Sequence, residues 1–188
     1  MNQVQLLING QSRPATDDGT FDHISPITGK TVTTAAAGKA DDANNAVEAA
    51  AKAFPVWSAL PPSEKRLRLL KAADLLASRA EQFIEIGMSE MGSSAAWYGF
   101  NVHVAANMLR DAAGMITQIQ GDIIPSDNEG TTAMAWRVPC GVVVGMAPWN
   151  APVILATRAL AMPLACGNTV VLKASENCPA THELLVKT

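Results

Sequence analysis

Residues 138–176 read VPCGVVVGMAPWNAPVILATRALAMPLACGNTVVLKASE, and the punctuation of this stretch decides the fold. Val142-Val143-Val144 is a short β-branched run, bracketed by Gly141 and Gly145 as boundary glycines. That pattern predicts a strand buried on both faces. Pro148-Trp149-Asn150-Ala151-Pro152 breaks it, because proline removes a ladder donor and restricts the residue before it. From Pro152 the apolar residues Ile154, Leu155, Leu160, Ala161, Leu164 and Ala165 recur at helical spacing, and Gly167 stands where the glycine after a helix end belongs. The run from Asn168 to Lys173 is a second apolar strand. Strand, helix and strand of these lengths predict one right-handed βαβ unit of a parallel sheet, hence an α/β fold. Ligands of such sheets sit beyond the carboxyl ends of the strands. Those ends carry Pro148-Trp149-Asn150 and Lys173-Ala174-Ser175-Glu176.

Composition narrows the function classes. The chain has 188 residues, a formal net charge of −3 and 48% hydrophobic residues, enough for a sizeable core. It offers no basic footprint for nucleic acid. The first ten residues lack a basic region followed by an apolar one, so no secretory signal is expected. Pro148, Asn150, Pro152, Arg158 and Pro163 interrupt the most apolar stretch and exclude a membrane span there. Cys140, Cys166 and Cys178 are odd in number and show no C-x-x-C spacing, which suits reduced cytoplasmic thiols. His23, His103 and His182 show no metal-ligand spacing. The last residues, Leu184 to Thr188, lie in a helical pattern with no stop signal, as expected of a truncated chain.

Along the chain, Val4 to Ile8 predicts a strand, and Asn9-Gly10 a hairpin turn. The segment from Ser25 to Lys30 is a second turn, leading into a strand over Thr31 to Thr34. Asp41-Asp42 start a helix with Ala43, Val47, Ala50 and Phe54 on one face, ending near Pro55. Trp57 is expected to pack against it. Pro61-Pro62-Ser63-Glu64 opens a helix with Leu67, Leu70, Leu75 and Leu76 inward and a Glu64–Arg68 pair. Glu81 to Met91 predicts another helix, stopped by Gly92. Ser93-Ser94 cap a long helix whose interior face would hold Trp97, Phe100, Val104, Met108, Ala112 and Met115, ending at Gly121. Thr132, Met134, Trp136 and Val138 alternate like a half-exposed strand.

The segments PCGVVVGMAPWNAP and LACGNTVVLKASENCPAT resemble the signature of the aldehyde dehydrogenase superfamily. They combine a Gly-Val-rich strand, Pro-Trp-Asn-x-Pro, and Gly-Asn-Thr-Val-Val-Leu-Lys-x-Ser-Glu in the family's order and spacing. The resemblance begins at Leu-Ile-Asn-Gly, residues 7–10, and runs to the last residue. Family members are much longer, so it implies an amino-terminal portion. The expected fold is a Rossmann-like parallel-sheet cofactor-binding domain with an amino-terminal β-hairpin, a helical layer and a β-extension for oligomerisation. Residues 1–121 would form the hairpin and helical part, 122–138 the extension that joins subunits, and 139–188 the first βαβ unit. The catalytic cysteine and general-base glutamate would lie beyond Thr188. The resemblance further implies NAD, with NADP as the less favoured cofactor, a small-molecule aldehyde substrate, and a homodimer or homotetramer at full length.

The candidate residues have two readings each. On spacing alone Asn150, at a strand's carboxyl end, suits an Asx-turn or the cap of the next helix better; the resemblance favours an amide donor to the oxyanion of a tetrahedral intermediate. Lys173 and Glu176 could form a solvated surface pair, or donate to and accept from the two hydroxyls of a dinucleotide's adenosine ribose. The resemblance favours the second reading and adds Ala147, Pro148, Trp149 and Ser175 to the cofactor contacts. A carboxylate at Glu176 opposes a 2′-phosphate, though Lys173 and Ser175 could still accommodate one. No G-x-G-x-x-G phosphate loop is present. None of the three cysteines falls in a matching motif, and all read as structural thiols. Arg158, eight residues after Asn150, is a solvent-facing helix residue or a pocket residue. The resemblance puts a substrate tunnel beside this helix, and Arg158, Ala151 and Trp97 then suit an aromatic aldehyde of the salicylaldehyde or benzaldehyde type. Open alternatives are a semialdehyde or aliphatic aldehyde substrate, and a non-catalytic nucleotide-binding scaffold.

Overall fold

Asn9 and Gly10 form the hairpin their order predicts. In the computed structural model, which describes residues 1–188, both take positive φ, 53° and 72°, the conformation of a tight type I′ loop. The strand expected over Val4–Ile8 is divided, however, into β1 (Asn2–Val4) and β2 (Leu6–Ile8), and β2 pairs antiparallel with β3 (Gln11–Arg13). After β4 (Thr20–Ile24), the predicted turn at Gly29 (φ 65°) leads into β5 (Thr31–Ala36). β5 is the centre of a three-stranded sheet, parallel to β1 and antiparallel to β4.

Four helices follow. α1 (Ala40–Ala59) begins where Asp42 accepts from the backbone N–H of Lys39 and of Thr16, at 2.9 and 3.1 Å. It does not end at Pro55 but carries that proline inside it. The turn beyond is anchored from outside: Trp57 Nε1 donates to the Leu164 carbonyl at 3.1 Å, and Lys65 Nζ caps the carbonyls of Ser58 and Leu60 at 2.9 and 2.7 Å. These bonds offset the lost ladder donor. The inward face of α1 is Asp42, Ala46, Ala50 and Phe54, whereas Ala43 and Val47 lie outside it. In α2 (Pro62–Ser78) the buried residues are Lys65, Leu69, Ala73 and Leu76, with Leu70 and Leu75 half-buried. Leu67 is 60% exposed, contrary to expectation. The Glu64–Arg68 pair does not form; the ion pairs are Arg110–Asp74, Lys173–Glu176 and Lys187–Glu183. α3 (Ala80–Met91) stops at Gly92 as predicted, with φ 65°.

α4 (Ala95–Met115) is capped by Ser94 Oγ, which accepts from Trp97 N–H at 3.2 Å. Its buried face is not the predicted one. Tyr98, Asn101, Val102, Ala105, Ala106, Leu109, Ala112 and Ala113 point inward, while Trp97, Phe100 and Met115 are exposed. α2, α3 and α5 all pack against this face. Its many small residues allow close helix approach, and the one large ring on it, Tyr98, lies over Gly87 of α3, where a Cβ would collide with the ring. The helix gives way to a 3₁₀ turn at Ile116–Gln118, before Gly121.

β6 (Asp122–Ile124) and β7 (Ala133–Ala135) form an antiparallel hairpin with Ile123, Met134 and Trp136 exposed. β8 (Val142–Met146), α5 (Pro152–Ala165) and β9 (Thr169–Lys173) make the expected parallel pair joined by a helix, in register from Val142 with Thr169 to Met146 with Lys173. Gly167 (φ 85°) closes α5, donating to the Leu164 carbonyl at 3.0 Å. β8 departs from the expected strand in two ways. β8 has β9 as its single neighbour and is not buried on both faces: Val144 is 59% exposed and Met146 77%. Gly145 lies inside β8 rather than at its boundary, and a Cβ there would stand 2.8 Å from Ala159 Cβ. It is a contact glycine that lets α5 cross the strand closely. α6 (Pro179–Val186) ends the fold. One core joins α2, α3 and α4 to α5, α6 and Ala147, so the helical part and the parallel pair are one packed body.

Candidate functional site

The parallel register sets the two strand exits side by side. Ala147 N–H donates to the Lys173 carbonyl at 3.1 Å and extends the pairing one residue beyond β8. Ala147 is buried, and past it Pro148, Trp149 and Asn150 emerge exposed. α5 then starts on Pro152, whose missing N–H removes one orphan donor of the first turn. Its N-cap position is Ala151, half-buried and without a side-chain cap. Asn150 therefore does not cap the helix, and its carboxamide makes no hydrogen bond to the rest of the chain. An exposed amide held beside a helix start is available to a ligand oxygen.

On the second exit, Lys173 Nζ lies 3.0 Å from Glu176 Oε2, with both side chains more than half exposed. The Glu176 carboxyl is held below its ordinary range, first by its own backbone N–H and then by Lys173, so it is an anion at neutral pH. Such an exposed pair adds little to stability. It sets an ammonium donor and a carboxylate acceptor next to each other, the complement of vicinal hydroxyls. Ser175 is placed differently: it is buried, its hydroxyl accepts from Asn177 N–H at 3.2 Å, and its N–H donates to His182 Nδ1 at 3.0 Å. Its hydroxyl faces the turn, which leaves Lys173 and Glu176 as the outward groups. Beside the pair lies an open cavity of about 770 Å³, lined mostly by apolar groups, among them Ala46, Ala50, Trp57 and Val171.

The three residues expected to line a substrate pocket, Trp97, Ala151 and Arg158, are not gathered by any bond within the chain. Arg158 is exposed on α5, where its guanidinium has no hydrogen-bond or carboxylate partner. Trp97 stacks on Phe100 with ring centroids 5.7 Å apart, an aromatic pair on the outer face of α4. Among the cysteines, Cys140 is exposed, Cys166 half-buried and Cys178 buried. Burial pushes the Cys178 thiol up to about 12 and the nearby His182 imidazole down to about 4. Both are neutral, so they are no thiolate–imidazolium pair. No group of three His, Cys, Asp or Glu side chains is gathered to hold a metal, and no helix is long and apolar enough to cross a membrane.

Two buried groups escaped the sequence reading. Glu90 is fully buried and accepts from the N–H of Ala180 and Thr181 and from the hydroxyls of Thr33 and Thr181, at 2.8, 3.0, 3.0 and 2.9 Å. Burial raises its carboxyl above the ordinary range, and the four donors pull it back. The inward stripe Phe83, Gly87, Glu90 of α3 carried that signal at helical spacing. His182, four residues after Cys178, is the other; it sits on the first turn of α6.

The sequence profile of the aldehyde dehydrogenase family matches residues 13–188. The chain belongs to the aldehyde dehydrogenase family. It is 62% identical over 185 residues to a vanillin dehydrogenase of Pseudomonas fluorescens, covering 98% of this chain and 38% of that relative. It superposes on the structure of a salicylaldehyde dehydrogenase from Pseudomonas putida G7, complexed with salicylaldehyde, with a TM-score of 0.97 and 44% identity, covering all of this chain and 39% of that one. The protein PnpE, in complex with nicotinamide adenine dinucleotide, matches with a TM-score of 0.92 and 37% identity, over 98% of this chain and 38% of its own. The mixed α/β fold is thus that of the amino-terminal part of these enzymes, and the chain spans about 38% of its relative's length.

Proposed function

We propose that this chain forms the amino-terminal portion of an NAD-dependent dehydrogenase of ring-hydroxylated aromatic aldehydes. The observation that carries this reading is the exposed Asn150 carboxamide at the carboxyl end of β8, bonded to nothing in the chain and capping no helix. Within 1–188, Asn150 donates to the oxygen that gains charge when the aldehyde carbon is attacked. Lys173 and Glu176 hold the adenosine ribose through its hydroxyls, with Ala147, Pro148 and Trp149 shaping the neighbouring wall. When bound, NAD supplies the hydride acceptor. The β6–β7 hairpin, with residues 122–138 as its span, offers Ile123, Met134 and Trp136 to a second subunit of a homodimer or homotetramer. Similarity to vanillin and salicylaldehyde dehydrogenases supports the substrate class. The test is steady-state NADH formation by the full-length protein with vanillin, salicylaldehyde, benzaldehyde and a short aliphatic aldehyde. A rate confined to the aliphatic substrate, or none with any, would sink the proposal.

Two substitutions examine its parts. Glu176→Gln removes the charge that opposes a 2′-phosphate, so the ratio of kcat/KM with NAD to that with NADP should narrow by about tenfold. An unchanged ratio would mean that Glu176 points away from the ribose. Arg158→Met keeps part of the stem's packing and removes the charge and donors. With hydroxylated rings kcat/KM should fall by about 1–2 kcal/mol, with benzaldehyde less, and with the aliphatic aldehyde almost not at all. Equal losses across the series would make Arg158 a structural residue and leave the aromatic substrate class resting on similarity to the vanillin and salicylaldehyde dehydrogenases alone.

A further inference from the structure

We propose that His182 is a positioning residue that ties the loop carrying Asn150 to the loop carrying Glu176, and so sets the reacting carbonyl against the bound cofactor. The inference rests on the reading above that gives those two loops their roles. The imidazole is buried, 1% exposed, between the strand exits. Its Nδ1 accepts the Ser175 N–H at 3.0 Å, one residue before Glu176. A nitrogen that accepts from a backbone N–H carries no proton, so Nε2 holds it. Nε2 therefore donates to the Pro152 carbonyl at 3.2 Å, two residues after Asn150. One rigid ring spends both nitrogens, one on each loop.

The mount of the ring is itself fixed. The Glu90 carboxylate takes the N–H groups of Ala180 and Thr181 directly before His182, and also the Thr33 hydroxyl. The first turn of α6 is thereby bound to α3 and β5, elements that carry no candidate site residue. The buried, neutral state of His182, whose pKa burial lowers to about 4, agrees with this use of both nitrogens. The loops it joins are otherwise connected near their tips only by the Ala147–Lys173 bond of the sheet. A small shift in the distance between reacting groups is expensive in rate, so a spacer between oxyanion donor and ribose clamp acts on catalysis without touching substrate.

The two amide variants in the full-length enzyme separate the two ties. H182N places its amide where Nδ1 lies, retaining an acceptor for Ser175 and losing Pro152. H182Q reaches the Nε2 position, retaining a donor to Pro152 and losing Ser175. The expected split is a kcat lowered about tenfold with KM for NAD held in H182N, and a KM for NAD raised about tenfold with kcat held in H182Q. If both variants keep kcat and KM within twofold while only Tm falls, His182 is structural and the proposal is overturned; parallel loss of both parameters in both variants overturns it too. If either variant fails to fold, ¹⁵N-histidine spectra of the parent enzyme decide. His182 should show the Nε2–H tautomer and shift on adding NAD and again on adding the carboxylate product, and resonances indifferent to both additions would overturn it. Failure of the functional reading looks different, because the parent enzyme itself would then form no NADH.

Discussion

In the full-length enzyme, Asn150→Ala is expected to lower kcat by about a hundredfold or more, the usual cost of one lost oxyanion donor. The geometry makes the prediction sharper than the residue type does. Asn150 is exposed, caps no helix and forms no hydrogen bond within the chain, α5 being started by Pro152 with Ala151 at its N-cap. The substitution therefore removes a donor aimed outward and disturbs no internal contact, so Tm should stay in place. The NAD affinity should also hold, since Lys173 and Glu176 sit on the other strand exit. Three measurements check this together: kcat by NADH formation, NAD affinity by calorimetry, and thermal unfolding. A collapse of NAD binding with kcat preserved would move Asn150 into the cofactor site. A drop in Tm with a proportionate loss of active enzyme would make it a folding residue.

What the sequence disclosed about fold and site follows the range of the interactions concerned. The Asn9-Gly10 hairpin, the stops at Gly92 and Gly167 and the Ser94 cap are decided within a few residues, and each stands where its local chemistry puts it. The helix faces are decided elsewhere. Trp97 and Phe100 are strongly hydrophobic candidates for the interior of α4, yet the neighbouring helices bury Tyr98, Val102 and Leu109 with Ala105, Ala106, Ala112 and Ala113 instead. Pro55 remains inside α1 because Leu164, 107 residues from Trp57, anchors the following turn. The candidate site divides in the same way. Asn150, Lys173 and Glu176 follow from the ends of two readable strands. Glu90 and His182 take partners up to 91 and 30 residues away, and no periodicity reports a polar contact of that span.

Glu90→Ala should destabilise the protein by about 3–5 kcal/mol, a large share of the 5–15 kcal/mol that holds a typical domain. The carboxylate is fully buried without a cation beside it, and four donors converge on its two oxygens. Removing it leaves the Thr33 and Thr181 hydroxyls free to rotate toward other acceptors. The N–H groups of Ala180 and Thr181 cannot turn, and at the start of α6 no preceding carbonyl of that helix can receive them. Each buried orphan costs about 1–3 kcal/mol, and the space left by the side chain adds a cavity cost. Glu90→Gln makes the argument quantitative. The two backbone N–H groups bond to different oxygens, Ala180 to Oε1 and Thr181 to Oε2. An amide satisfies one and presents its own N–H to the other, so its loss should be about 1–3 kcal/mol, one orphan instead of two. Urea unfolding of the full-length protein, compared at constant m-value, reads both losses. A Gln variant as weak as the Ala variant would assign the cost to the missing charge, whereas an Ala variant within 1 kcal/mol of the parent would show that water replaces the carboxylate at the start of α6.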